Sequence, residues 1–350
     1  MKRIPLDYLS VSRGTAAAAI VLVWLAPMPL RGQTRQATGQ SKPWALPRMP
    51  DGRPDLQGMW ENNNATPLER PKELAGKQFL TDDEVAVLKK RASQLFDGGG
   101  DAAFNDEFFQ AALSGVGRFT SSDGKVGDYN QFWLPQREWD NRTSLVIDPP
   151  DGRIPPSTPE ARQREAARAR VVGLTLADGP ENRTLSERCI TFGLPDTRPA
   201  YMSYYQIMQT PTHAVIVMEK IHDARVIPLD GRPRSGIRQY MGEPRGHWEG
   251  DTLVVETVNF SAKSFFRGAA ENLRLVERFT RVGPDTLQYQ FTVDDPTTWV
   301  RPWTAMIPLK HSKEPLFEYA CHEGNIGLAG ILSGARAEEH AAERAGSGAK

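Results

Sequence analysis

The sequence predicts a mainly β protein: an antiparallel, barrel- or sandwich-like domain in the C-terminal half, preceded by a loop-rich, partly helical N-terminal half. Three observations carry this. From Tyr204 onward the hydrophobic period is two, most clearly where Leu287, Tyr289, Phe291 and Val293 alternate with Thr286, Gln288, Gln290 and Thr292, as in a half-buried antiparallel strand. Turn residues such as Gly283-Pro284-Asp285 separate the short runs. Before residue 185 helical spacing replaces this pattern, and only in two places.

In chain order, Lys2, Arg3 and Arg13 precede an uncharged apolar stretch from Ala16 to Leu30, the pattern of a secretory signal peptide over residues 1–32. A transmembrane anchor is the alternative, but Pro27 and Pro29 interrupt the stretch short of the ~20 apolar residues a span needs. No cysteine precedes Cys189 to accept a lipid, and Arg13 has no arginine neighbour for a twin-arginine signal. Residues 33–50 read as a flexible lead-in. The region 51–185 is expected to hold two helices and to pack on the β-domain. Thr81-Asp82-Asp83-Glu84 is a capping box ahead of Val85, Leu88, Ala92, Leu95 and Phe96, with Gly98, Gly99 and Gly100 as the stop. The second helix starts at Thr158-Pro159 and runs through an arginine-rich stretch to about Val172. The aromatic segment between them, with Phe104, Phe108, Phe109, Tyr129, Phe132, Trp133 and Trp139, reads as irregular chain wrapping a core edge.

The β-domain is expected over residues 186–334, with strands at 204–210, 213–221, 224–228, 252–260, 273–281, 287–293, 303–309 and 316–321, followed by a tail, 335–350, either helical or disordered. Asp-Gly-Arg recurs at Asp51, Asp151 and Asp230. The flanks differ, so these are recurrent tight turns, not a structural repeat.

Lys plus Arg, 43, equals Asp plus Glu, 43, so no net field argues for nucleic acid. The mature length of about 310 residues suffices for a sizeable core without disulfide staples. Only Cys189 and Cys321 are present. They are either a disulfide or two buried thiols, and an exported chain favours the disulfide. The expected location is periplasmic or secreted, with no transmembrane segment after signal removal.

Several segments resemble a large family of exported bacterial proteins with no established activity: Pro54-Asp55-Leu56-Gln57-Gly58-Met59-Trp60, the run from Ile221 to Pro233, the run Gly246-His247-Trp248-Glu249-Gly250-Asp251-Thr252-Leu253-Val254-Val255-Glu256-Thr257, and Cys321-His322-Glu323-Gly324-Asn325. Gly58-Met59-Trp60 is also similar to the Gly-x-Trp that opens the first strand of lipocalins. That likeness implies a Trp closing the barrel floor and a small apolar ligand inside.

The densest polar cluster joins His222, Asp223 and Arg225 with His247, Glu249, Asp251, His322 and Glu323. If they converge, His222, Asp223, Arg225, His247, His322 and Glu323 are the catalytic candidates for a hydrolase or metal-assisted lyase, with His222, His247 and His322 as ligands of a divalent metal. The structural alternative makes Glu249-Gly250-Asp251 a hairpin turn and Asp223 a partner for Arg225. No other cofactor is indicated. Glu219 lies in phase with Val215 and Val217, and Glu277 with Leu275 and Phe279. Inward-facing carboxylates must be paired, hydrogen-bonded or protonated. An arginine partner makes them structural. Otherwise Glu219 and Glu277, with Trp60, Trp248 and Tyr289, are candidate ligand-binding residues.

There is no Gly-x-Ser-x-Gly elbow, no phosphate-binding Gly-Lys-Ser/Thr, and Gly115-Val116-Gly117 lacks the third glycine of a dinucleotide loop. The leading expectation is therefore an exported protein binding a small apolar or mixed-polarity ligand in or beside the β-domain. The alternatives are the hydrolase or lyase above and a cell-envelope interaction module using the N-terminal half.

Overall fold

Strands with one apolar face must bury it against one another, and here a single sheet does so by rolling up. The structure, a computed structural model, describes residues 44–97, 99–121, 130–175 and 177–347. Residues 1–32, where a signal peptide is expected, most of the expected lead-in, Gly98 and Tyr129 lie outside the described residues. The strands are β1 (Gly58–Glu61), β2 (Val146–Asp148), β3 (Tyr204–Gln209), β4 (His213–Met218), β5 (Ala224–Pro228), β6 (Glu243–Glu249), β7 (Thr252–Val258), β8 (Arg274–Arg281), β9 (Thr286–Asp294) and β10 (Trp303–His311). They form one antiparallel sheet in the order β5-β4-β3-β1-β10-β9-β8-β7-β6, with β2 pairing part of β10.

The two ends of this path, β5 and β6, lie side by side without ladder hydrogen bonds, so the barrel is nearly closed. Gly246 makes that seam. A Cβ there would lie 2.6 Å from Leu229 Cδ2 and 2.9 Å from Ile227 Cγ2, closer than real side chains approach. Gly246→Val should therefore destabilise the protein by ~1–3 kcal/mol through overpacking, seen as a lower denaturation midpoint. An unchanged midpoint would mean that β5 and β6 part freely.

The interior is filled. Phe279 stacks on Tyr289 at 4.8 Å, Tyr289 meets Phe291 at 5.5 Å, and Phe291 meets Trp303 at 5.9 Å, an aromatic column among Ile207, Ile216, Ile227, Leu275 and Ile307. Trp60 is fully buried, donates Nε1–H to the Leu56 carbonyl at 2.9 Å, and has the Arg281 guanidinium 5.3 Å from its ring centroid. The space remaining among Tyr205, Arg225, Glu277 and Tyr289 is about 20 Å³, room for about one water. An interior as narrow as this is a core and not a container.

Among the described residues the α-helices are α1 (Asp82–Asp97), α2 (Asn105–Ser114), α3 (Pro159–Thr175) and α4 (Ile326–Ser347). The Thr81 capping box forms reciprocally, Glu84 N–H donating to Thr81 Oγ1 and Thr81 N–H to Glu84. Thr158 caps α3 through the Ala161 N–H. α1 and α2 pack through Leu88, Leu95, Phe108, Phe109 and Ala112 into a second core beside the barrel. All three Asp-Gly-Arg sites are the same turn, with glycine at φ 84°, 73° and 72° and the aspartate accepting the arginine N–H at 3.1, 3.1 and 3.2 Å. No helix among the described residues is long and apolar enough to cross a membrane.

Several expectations need correction. The aromatic segment is not all irregular, because residues 105–114 form α2. Residues 44–50 of the lead-in are tied down: Arg48 bridges Pro54 and reaches Asp251 at 3.0 Å. The sheet draws β1 and β2 from before residue 185, and residues 44–350 make one unit. The segment 316–321 forms no strand, and α4 begins at Ile326, inside the expected β-region. In β4 the buried row is Ala214, Ile216 and Met218, not Val215 and Val217. The strand ends before Glu219, which therefore does not face the barrel interior.

Candidate functional site

The histidine cluster does not assemble. His247 lies on the exposed face of β6, where Glu249 accepts from it at 3.0 Å and from Arg278 at 2.8 Å. His222 is exposed in the bend that precedes β5. His322 and Glu323 are exposed beyond Cys321. Among the described residues no three His, Cys, Asp or Glu side chains are placed to hold a metal ion. The metal site expected from His222, His247 and His322 is therefore not formed among the described residues.

The remaining members serve the fold. Arg225 pairs with Glu277 and not with Asp223. Its Nη1 and Nη2 donate to the two carboxylate oxygens at 2.9 and 2.5 Å, and Nη2 also reaches Thr257 Oγ1 at 3.1 Å. Tyr289 donates to Glu277 at 2.9 Å. Burial and the adjacent carboxylate hold the Tyr289 hydroxyl well above its usual range, so it stays a donor. Asp223 is buried and accepts from Thr191 Oγ1 at 2.8 Å and Phe192 N–H at 2.9 Å, while desolvation raises its pKa. Glu219 is also pushed up by burial, against the Phe317 N–H it accepts and the charge of Lys220. Trp248 packs against the barrel core. Trp60, Glu277 and Tyr289 are thus core groups, and no ligand reaches them without displacing that core.

The chain instead builds a groove beside the barrel, of about 630 Å³, in the 300–1,000 Å³ range of small-molecule sites. Three segments wall it: one face of α3, residues 181–198, and the connection from β7 to β8. The floor is apolar, with Leu194, Phe260, Phe266 and Leu273. Leu194 also lines the small cavity inside the barrel, so this one side chain borders both spaces. Past Phe192, Phe265 and Phe266 the groove shares its wall with a second depression of about 300 Å³.

Each wall is held from behind. Thr184 and Glu187 cap one another, the Cys189–Cys321 disulfide ties that wall to the C-terminal segment, and Asp223 fixes Thr191 and Phe192. Lys220 Nζ donates to Asp196 at 2.8 Å, to the Arg198 carbonyl at 2.9 Å and to Ser203 Oγ at 2.9 Å. Burial opposes ionisation of Asp196, but Lys220 and Arg198 outweigh it and keep the carboxyl below its usual range. Ile221 and His222, at φ 53° and 43°, make the left-handed bend that follows Lys220. A β-branched residue adopts such a φ only where its surroundings impose it. On the opposite wall Phe266 stacks on Trp303 at 6.1 Å and Ser264 donates to the Tyr240 carbonyl at 2.7 Å. Arg168 of α3 lies 3.8 Å over the Phe265 ring.

None of these groove residues stood out in the sequence. The available signals were the arginine-rich face of α3 and the length of the β7–β8 connection, 15 residues from 259 to 273, long for a link inside a compact domain. No family model matches the chain, and neither a curated protein nor a solved structure matches it.

Proposed function

We propose that this is an exported protein that binds a small ligand of mixed polarity in the groove beside the barrel. The observation that carries this reading is the contrast between two spaces: about 630 Å³ with an apolar floor and charged rim outside the barrel, against about 20 Å³ inside it. Preorganised walls support it, since fixing the site before binding lowers the ordering cost of association. Export is supported by the basic and apolar N-terminal pattern and by the disulfide, which persists in oxidising compartments. The lipocalin likeness of Gly58-Met59-Trp60 adds no interior ligand to this reading, because the barrel has no room for one.

Titration with the neutral fluorophore N-phenyl-1-naphthylamine tests it. Saturable binding is expected, with at least tenfold weakening in Ala270→Trp, which fills the groove without entering the barrel core. Failure of the probe to bind, or unchanged binding in Ala270→Trp, would refute the reading.

A further inference from the structure

The groove is positive although the chain as a whole is neutral. Arg168, Arg183, Arg188, Arg198 and Lys263 line it against two carboxylates, Glu165 and Glu181, whereas the sequence has 43 basic and 43 acidic residues. Some of this charge is already answered. Arg183 pairs with Glu187, Arg198 with Asp196, and Arg168 rests on the Phe265 ring. Arg188, half-buried on one wall, and Lys263, exposed on another, have no carboxylate within ion-pair distance among the described residues.

A half-buried guanidinium has lost part of its hydration and gains most from an anion brought to it. Its fork matches the two oxygens of a carboxylate, which an ammonium such as Lys263 supports as a point charge. Below this rim the lining is aromatic and aliphatic: Phe260, Phe266, Ala269 and Leu273. A wholly apolar ligand would leave the two cations facing low-dielectric material, and a small inorganic anion would leave the floor wet.

Resting on the groove as the binding site, we infer that its ligand is an anionic amphiphile: a carboxylate held at Arg188 and Lys263, with an apolar body laid over Phe260, Phe266 and Leu273. The volume suits a molecule the size of a medium-chain acyl carboxylate. The long-range field draws the anion in, and the apolar floor supplies most of the affinity at roughly 25 cal/mol per Å² buried.

Competition against bound N-phenyl-1-naphthylamine separates this inference from the reading beneath it. Dodecanoate should displace the probe at a concentration at least tenfold lower than dodecanol at low salt. That advantage should shrink at high ionic strength, because exposed charges are screened, and vanish in the Arg188→Gln/Lys263→Gln double variant. The variant should still bind the neutral probe saturably, and its circular dichroism spectrum and thermal midpoint should match wild type, showing that the groove remains folded. Equal potency of dodecanol and dodecanoate, or an advantage that survives in the double variant, overturns the anionic ligand while leaving the binding groove in place. If the neutral probe does not bind the wild-type protein, the groove reading falls and this inference with it.

Discussion

Replacing Glu277 with alanine should cost about 3–5 kcal/mol of stability, because it leaves Arg225 charged and unpaired inside the barrel. Both side chains are almost fully buried, at 3% and 1% exposure, and Arg225 cannot shed its proton to escape the penalty. The Tyr289 hydroxyl and Thr257 lose their network in the same step. In thermal unfolding the change should lower Tm by roughly 5–15 °C. Arg225→Ala should cost a similar amount, leaving the carboxylate stranded. The double variant Arg225→Met/Glu277→Leu should instead lie within about 2 kcal/mol of wild type, since a buried pair replaced by apolar groups of similar size is often neutral or better. Denaturant titration of the four proteins closes the cycle. A loss below about 1 kcal/mol in Glu277→Ala would mean that water reaches the pair and that the barrel is looser than its packing implies.

The second large effect is expected on removing the disulfide. Cys189 and Cys321 close a loop with a sequence separation of 132 residues, for which chain entropy alone sets an upper estimate near 5 kcal/mol, with about 2–4 the usual outcome. The loss should begin locally. Among residues 326–345 α4 buries no side chain fully, and beside the disulfide its neighbourhood is held by contacts at its margins, among them Phe317 N–H to Glu219, Asn325 Nδ2 to the Glu187 carbonyl at 2.9 Å, and Arg336 to the Ala177 carbonyl at 2.9 Å. Segments so sparsely held open at low free energy. In Cys189→Ser/Cys321→Ser, trypsin should cut at Lys313 and Arg336 well before the barrel unfolds, and groove affinity should fall because the wall around Arg188 is released. Identical digestion patterns and binding with and without the disulfide would show that the remaining contacts hold the segment unaided.

Much of the fold was legible where one residue type had one local meaning. The alternation from Leu287 to Val293 marks β9 and its inner row, because period two admits only one dry face. The Thr81 capping box and the Thr158-Pro159 start mark α1 and α3. Reading failed where local signals were silent or contradicted by packing. α2 begins after Phe104, which makes no side-chain cap, so its start carried no mark. Pro244 and Gly246 look like breakers, yet they lie within β6, where the missing Cβ of Gly246 is what the seam requires. From Ala214 to Met218 every position is apolar, so the phase could not be read. That is why Glu219 was expected inside.

The candidate site divides along the same line. Glu277 lies in a readable inner row, so its need for a partner was visible, but that the partner is Arg225, across the barrel on β5, depends on strand order. The amino-acid sequence by itself determined the β architecture, two of the helices and the recurrent Asp-Gly-Arg turns, because each rests on neighbours within a few residues. Only the tertiary structure decided that the histidines stand apart, that the barrel is filled, and that α3, residues 181–198 and the β7–β8 connection meet as a groove. Those outcomes depend on contacts between segments far apart in the chain, where side-chain volume and charge are settled by packing and not by sequence spacing.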